Sequence, residues 1–362
     1  MEKMKSIFVP RAIDDNPYQN QLILNLQQLG TYVERPNHAT RFLPTFFLLT
    51  IFSHWKPDIV HFHWLHPLFL EPNNNLKTFF KTLAFITQVV ILKITGIKII
   101  WTVHNLKNHE NTNLFLDYIC TNLIVTLSSA IITHCEAAKE EFIKKFPLRN
   151  QDKVFVIPHG NYIDSYENKI EKSIARKSLG LTNSGTVFLF LGLIRPYKGV
   201  LELIETFKTL DSEECELIIA GKVYDNNQEM MDLLLQKIAD DKRIKLIPTF
   251  VPPEQVQTYM NASDVVVFPY RDVLTSGAVL LAMSFSRACI APRKGCIAEV
   301  LDNDGAFLYQ PDENNGLREA MDAALYKQSN LLIMGKHNFH LAKKFNWKHI
   351  AEMTVDVYRS CL

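Results

Sequence analysis

Apolar residues in this chain come in short, nearly unbroken blocks, and between the blocks they return with the spacing of one helix face. Such blocks read as strands buried on both sides of a parallel sheet, and the spaced stretches as amphipathic helices. Strands are predicted at Ser6–Val9, Asp58–Phe62, Lys98–Val103, Ala130–Thr133 and Val154–Ile157. A second set is predicted at Val187–Leu191, Glu216–Ala220, Ile244–Ile247, Val265–Phe268 and Ala288–Ala291. Helices are predicted at Asn20–Leu29, Leu76–Ile94, Thr112–Leu127 and Glu136–Lys145, then at Val200–Leu210, Glu229–Asp240, Glu254–Asn261 and Gly277–Phe285. A last helical tract runs from Leu317 to Tyr326 and on to the C-terminus. Regular alternation predicts an α/β fold with parallel sheets. Around Pro158–Asn168 a strand ends in PHGNY and a polar segment follows, which predicts a boundary between two doubly wound halves.

The strand at Val187–Leu191 ends abruptly in the loop GLIRPYKG, just before the helix VLELIETFKTL. Gly192 lets the backbone approach a ligand, Arg195 and Lys198 bring positive charge, and Gly199 opens onto a helix N-terminus with free N–H groups. That combination suits an anion, and a diphosphate is the obvious one. The pattern GxxxxGK[ST] of nucleotide hydrolases and the GxGxxG dinucleotide fingerprint are both absent. A second cradle follows the strand VVVFP, where Thr275, Ser276 and Gly277 start an apolar helix. Ligands of open parallel sheets sit at the strand C-termini, so two cradles there can grip two phosphates of one nucleotide.

Bulk properties narrow the field. The 362 residues suffice for two domains, and 47% hydrophobic with 21% charged residues is a globular composition. A net charge of +1 gives no global field for nucleic acid, so no nucleic-acid partner is expected. The six cysteines include no CxxC pair. The N-terminal apolar run is too short for a signal peptide, and the uncharged stretch from Thr82 to Leu92 is too short to cross a bilayer. The expected location is cytoplasmic. Peripheral contact with the inner face of the cell membrane is a second expectation. It rests on NLKTFFKTLAFITQVVILKITGIK and RFLPTFFLLTIFSHWK, which mix greasy runs with Lys77, Lys81, Lys93, Lys98, Arg41 and Lys56. Burial of the same helix against the sheet, with lysines snorkelling outward, is the alternative and the favoured reading of the pattern.

The order of motifs GLIRPYKG, IIAGK, FVPPEQVQTYMNASDVVVFPY, SGAVLLAM and APRKGCIAEV resembles the donor half of GT-B glycosyltransferases of the family-4-like kind. The closing FNWKHIAEMTVDVY resembles that group's tail, in which a terminal helix crosses back onto the N-terminal domain. The resemblance implies an N-terminal acceptor-binding domain over 1–165, with a helix at about 345–362 packed back on it, and a C-terminal donor-binding domain over 166–344. These would be two Rossmann-like domains facing a cleft. It implies that Arg195 and Lys198 bind the donor diphosphate, that Ser276 and Gly277 lie near the distal phosphate, and that Glu299 lies near the nucleoside. No metal or other cofactor is implied, because cations and a helix dipole can stabilise the leaving diphosphate. One departure stands out. Retaining members carry two glutamates in a form like EGFGxxxxEAMA, and here those positions are Val273 and Leu281. Some inverting relatives, including β-mannosyltransferase-like enzymes, also lack the pair, so inversion is favoured.

The implied activity is transfer of a sugar from a nucleotide-diphosphate sugar to a hydroxyl of a glycan or glycolipid acceptor in surface polysaccharide assembly. A nucleotide-sugar epimerase of the same architecture and a non-catalytic GT-B partner protein are the alternatives. An inverting transfer needs a base on the acceptor side. His104 and Asn105 follow the strand KIIWTV, and His109 and Glu110 lie in the loop beyond; Asp14 and Asp15 follow the first strand. In HFHWLH, the histidines at 61, 63 and 66 match no strong metal spacing, while His63 and Trp64 suit contact with an acceptor sugar. His159 in PHGNY sits at the hinge, as a cleft residue near the donor sugar or as a packing residue.

Overall fold

The computed structural model describes residues 4–11, 17–35, 56–71, 74–106, 113–182, 184–239 and 241–362. They form two compact units, Met1–His159 with Trp347–Leu362 (unit 1) and Gly160–Asn346 (unit 2).

Unit 1 is built on six parallel strands: β1 Lys5–Val9, β2 Tyr32–Glu34, β3 Ile59–Phe62, β4 Lys98–Thr102, β5 Ala130–Thr133 and β6 Val154–Val156. Their order is β2-β1-β3-β4-β5-β6. The chain steps outward from β1 to β2 and then crosses back to β3, whose His61 and Phe62 pair with Phe8 and Val9. The reversal between β1 and β3 leaves a crevice at their C-terminal ends.

Unit 2 repeats the plan with β7 Thr186–Leu191, β8 Cys215–Ala220, β9 Ile244–Ile247, β10 Val265–Val267, β11 Ala288–Pro292 and β12 Ala306–Tyr309, in the order β12-β11-β10-β7-β8-β9. Here the reversal lies between β7 and β10, the two strands that lead into the predicted anion cradles. Every residue of β7 is buried, as expected of a central parallel strand covered on both faces.

The last helix, Trp347–Cys361, belongs to unit 1 although it follows unit 2 in sequence. Trp347, Ile350, Ala351, Val355 and Tyr358 recur at helical spacing and enter one core with Tyr18, Leu22 and Leu26 of the helix Pro17–Gln28 and with Phe8, Ile59 and Ile100 of the sheet.

Ten of the strands lie where the apolar blocks predict them, within a residue at each end. β2 and β12 are not predicted. Both are short edge strands, reading YVE and AFLY, and an edge strand buries too little to need a long apolar block. The short helices His66–Phe69, Lys172–Ser178 and Ile297–Val300 also escape prediction. The C-terminal tract is three helices, Gly316–Tyr326, Leu331–Ala342 and Trp347–Cys361, rather than one continuous tract. Polar turns at Lys327–Asn330 and around Asn346 separate them.

Candidate functional site

In unit 2 the loop after β7 turns through Pro196–Lys198 into the helix Val200–Lys208. The turn requires glycine at 199, where φ is +66° and a Cβ would lie 1.9 Å from the Pro269 carbonyl oxygen. That close approach ties the loop after β7 to the end of the β10 segment. Gly192 is also held at positive φ, +138°, and the space beside its Cα is taken by the Lys198 ammonium. The Arg195 guanidinium lies 3.8 Å from the centre of the Tyr224 ring and is bonded to the Tyr197 hydroxyl. Lys198 has no ion-pair partner among the described residues. Burial and the neighbouring Arg195 bring its ammonium down to about 8. Two cations held side by side without a carboxylate on the lysine make a place for an anion.

Lys198 Nζ lies 5.9 Å from the Tyr270 ring centre, and the Tyr270 hydroxyl is bonded to Ser276. Ser276 stands at the N-cap of the helix Gly277–Ser284 without using its hydroxyl to cap it, so the first N–H groups of the helix stay available. The structure thus gathers Gly192, Arg195, Lys198 and Ser276 through Tyr270, with Thr275 and Gly277 flanking the serine. Glu299 is exposed on the short helix Ile297–Val300, whose leading turn packs on Val273 and Leu274. Tyr197 and Tyr224 lie against Arg195, and Tyr270 lies against Lys198. The signal that could reveal Tyr224 is its place after β8, the strand next to β7.

In unit 1, four neighbouring strands each deliver a histidine just past their C-terminal ends: His63 after β3, His104 after β4, His134 after β5 and His159 after β6. His63 Nδ1 meets His104 Nε2 at 3.3 Å, and His104 Nδ1 meets His134 Nε2 at 3.3 Å. His134 Nδ1 lies 3.0 Å from the Ile157 carbonyl oxygen. A carbonyl only accepts, so His134 Nδ1 carries the proton and the direction of the whole chain follows: His63 donates to His104, and His104 donates to His134. Burial is the main force holding these rings neutral. It lowers His134 to about 4, and lowers His63 and His104 well below the usual range, helped by the charge each imidazolium would place on its neighbours.

His61 is bonded on one side to the Tyr358 hydroxyl at 2.6 Å and on the other to Thr102 Oγ1 at 2.7 Å; burial lowers it to about 3. His66 turns instead to Asp117, so His61, His63 and His66 do not gather as one ligand set. Trp64 stacks on His104 at 4.6 Å with planes 15° apart, and His159 lies against Tyr18 and Trp347. Asp14, Asp15, His109 and Glu110 lie outside the described residues. His134, Tyr18 and Tyr358 are participants that sequence reasoning missed. The recurrence of histidine after successive strands is the signal that reveals His134.

Residues 185–327 match the family described as Glycosyl transferases group 1. The chain is 26% identical over 284 residues to the GDP-mannose:glycolipid 4-beta-D-mannosyltransferase of Xanthomonas campestris pv. campestris, covering 77% of this chain and 74% of that protein. It is 25% identical over 208 residues to the lipopolysaccharide 1,2-N-acetylglucosaminetransferase of Salmonella typhimurium, covering 55% and 54% of the two chains. Among solved structures it resembles sucrose-phosphate synthase from Thermosynechococcus elongatus, with a TM-score of 0.79 at 16% identity over 99% of both chains. It also resembles Anabaena HepE in complex with UDP-glucose, with a TM-score of 0.75 at 17% identity over 99% and 100% of the chains. Residues 185–327 thus carry a group 1 glycosyltransferase domain, and the two doubly wound sheets give the chain the GT-B fold of these solved structures.

Proposed function

We propose that the protein moves a sugar from a nucleotide-diphosphate donor to a hydroxyl of a glycolipid-linked glycan during assembly of a surface polysaccharide. The observation that carries this reading is the pairing of Arg195 with Lys198, a lysine without an ion-pair partner among the described residues, at the β7/β10 reversal. In the reaction the cations take the diphosphate, the helix start at Ser276 takes the distal phosphate, and Glu299 approaches the nucleoside. Positive charge fixed in this way stabilises the leaving group as it departs, so turnover needs no metal and persists in EDTA.

Unit 1 takes the acceptor, with Trp64 and His63 beside the sugar. His104, with both ring nitrogens engaged, orients its neighbours rather than receiving the acceptor's proton. Val273 and Leu281, in place of the glutamates of retaining relatives, favour inversion. The glycolipid relative makes GDP-mannose the first donor to test.

The test is calorimetry with GDP, UDP and ADP, followed by release of GDP from GDP-mannose in the presence of a glycolipid acceptor. Lys198→Ala should weaken nucleoside-diphosphate binding by at least about tenfold, the loss expected for one charge-assisted contact, with the melting temperature unchanged. Equal affinity in the variant, or no binding of any nucleoside diphosphate to the wild type, would remove this reading.

A further inference from the structure

Among the histidines lining the strand ends, His61, His104 and His134 keep no free lone pair and His63 is closed off at 1% exposure, so the geometry points to a different proton acceptor. Both ring nitrogens of His61, His104 and His134 are bonded. His66, at the start of the short helix after β3, is arranged otherwise. Its Nε2 lies 3.1 Å from Asp117 Oδ1, on the helix Leu114–Leu127. Asp117 also accepts from Thr121 Oγ1 at 3.3 Å. The carboxylate is nearly closed off, at 12% exposure, while the imidazole is open at 27%.

An ionised carboxylate only accepts, so Nε2 carries the proton and Nδ1 keeps a bare lone pair, with no partner among the described residues. Burial pushes the Asp117 carboxyl up. The hydrogen bond and charge of His66, with Lys145 and Thr121, more than offset that and keep it below its ordinary value. An ionised, oriented carboxylate behind an imidazole fixes its tautomer and stabilises the imidazolium that forms when the other nitrogen takes a proton.

A second observation leaves room for a hydroxyl beside this ring. His66 lines a cavity of about 20 Å³ together with His63, Trp64, His104, Asn105 and Thr121, room for one water or one hydroxyl group. On its wall His63 is 1% exposed, and its Nε2 has no hydrogen-bond partner among the described residues. By the direction of the histidine chain, that nitrogen is an acceptor. A buried acceptor without a donor is costly, and an O–H group entering the cavity relieves it.

We propose that His66, held by Asp117, is the general base that deprotonates the acceptor hydroxyl. This rests on the transferase reading above and on inversion. The acceptor oxygen forms the new bond to the anomeric carbon, and the bond from that carbon to the diphosphate oxygen breaks with its electron pair leaving on the nucleoside diphosphate. The hydroxyl proton ends on His66 Nδ1. Asp117 acts through His66 and is a positioning residue.

The experiment pairs turnover of GDP-mannose and a glycolipid acceptor with ¹⁵N spectra of the histidine rings in the full chain. His66→Ala should lower kcat by at least about 100-fold while GDP affinity stays within about twofold, and added imidazole should restore about tenfold or more. Asp117→Asn should lower kcat by about 10- to 100-fold with the donor KM unchanged, which a merely structural role would not produce. His66→Ala turnover within about threefold of wild type, or a loss that imidazole does not restore, overturns the proposal. A wild type silent towards GDP-mannose sinks the donor reading instead, and the spectra still decide the dyad. The His66 signal, assigned with His66→Gln, should show the Nε2–H tautomer, and an Nδ1–H tautomer overturns the proposal.

Discussion

At Lys198 the proton affinity is depressed. A lysine usually titrates near 10.5, and here burial and Arg195 bring the ammonium down to about 8. Below that pH the side chain is a cation facing Arg195, and above it the charge is lost. A bound diphosphate favours the charged form, so nucleotide binding takes up a proton when the pH lies above about 8. GDP affinity should therefore fall as pH rises from 7 to 9.5, by up to about tenfold per unit once the lysine is neutral. Calorimetry in two buffers of different ionisation enthalpy measures both the affinity and the proton uptake, and Lys198→Ala should flatten both. A wild-type profile as flat as the variant's would place the lysine away from the anion. This loop was legible in the sequence because its parts are local: a strand end, two cations and a helix start within a few residues. Tyr224 and Tyr270 were not legible, because only the β7-β8 and β7-β10 pairings bring them to the loop.

Among elements, the helices Asn75–Ile94 and Leu114–Leu127 pack together and are apolar on faces they do not need for the core. Thr78, Phe85, Val89 and Leu92 point inward, whereas Leu76, Phe79, Phe80, Leu83, Leu114, Phe115 and Tyr118 are each more than half exposed. The first helix is buried on one side and greasy on the other. Lys81, one of the lysines expected to snorkel, is buried and paired with Glu71. No described helix is long and apolar enough to cross a membrane. An exposed apolar face of this size beside Lys77 and Lys93 suits the surface of an anionic bilayer. Replacing Phe79, Phe80 and Phe115 together by glutamate should abolish co-sedimentation with phosphatidylglycerol vesicles and leave GDP binding unchanged. Undiminished sedimentation of that variant removes the membrane assignment. The interior strands were legible because central parallel strands must be continuously apolar, while the edge strands β2 and β12 are free of that demand.

At the scale of the whole molecule, each unit has its own core, and the buried histidines are concentrated in one of them. His61, His63, His104 and His134 are all buried and all hold fewer protons when folded than an exposed histidine does. Their folded values lie below the unfolded value near 6.5. As pH falls from 6.5 towards 4, the unfolded chain therefore binds protons that the folded unit refuses. The stability these rings contribute is complete above about 6.5 and is lost through that window, at a limiting slope of about 1.4 kcal/mol per pH unit for each histidine. The chain supplies its own reporter, since the described tryptophans, Trp64, Trp101 and Trp347, all belong to unit 1. The urea midpoint followed by tryptophan fluorescence should drop steeply between pH 6.5 and 5, while far-ultraviolet dichroism, which sees both units, shows a second transition that moves less. His134→Gln keeps a hydrogen-bonding side chain but removes one titrating ring, so it should make the fluorescence midpoint less steep in pH. A fluorescence midpoint that stays level from pH 7 to 5 would mean that the histidine chain opens to solvent and takes up protons without unfolding, and the fixed tautomers drawn for His63, His104 and His134 would then have to be abandoned.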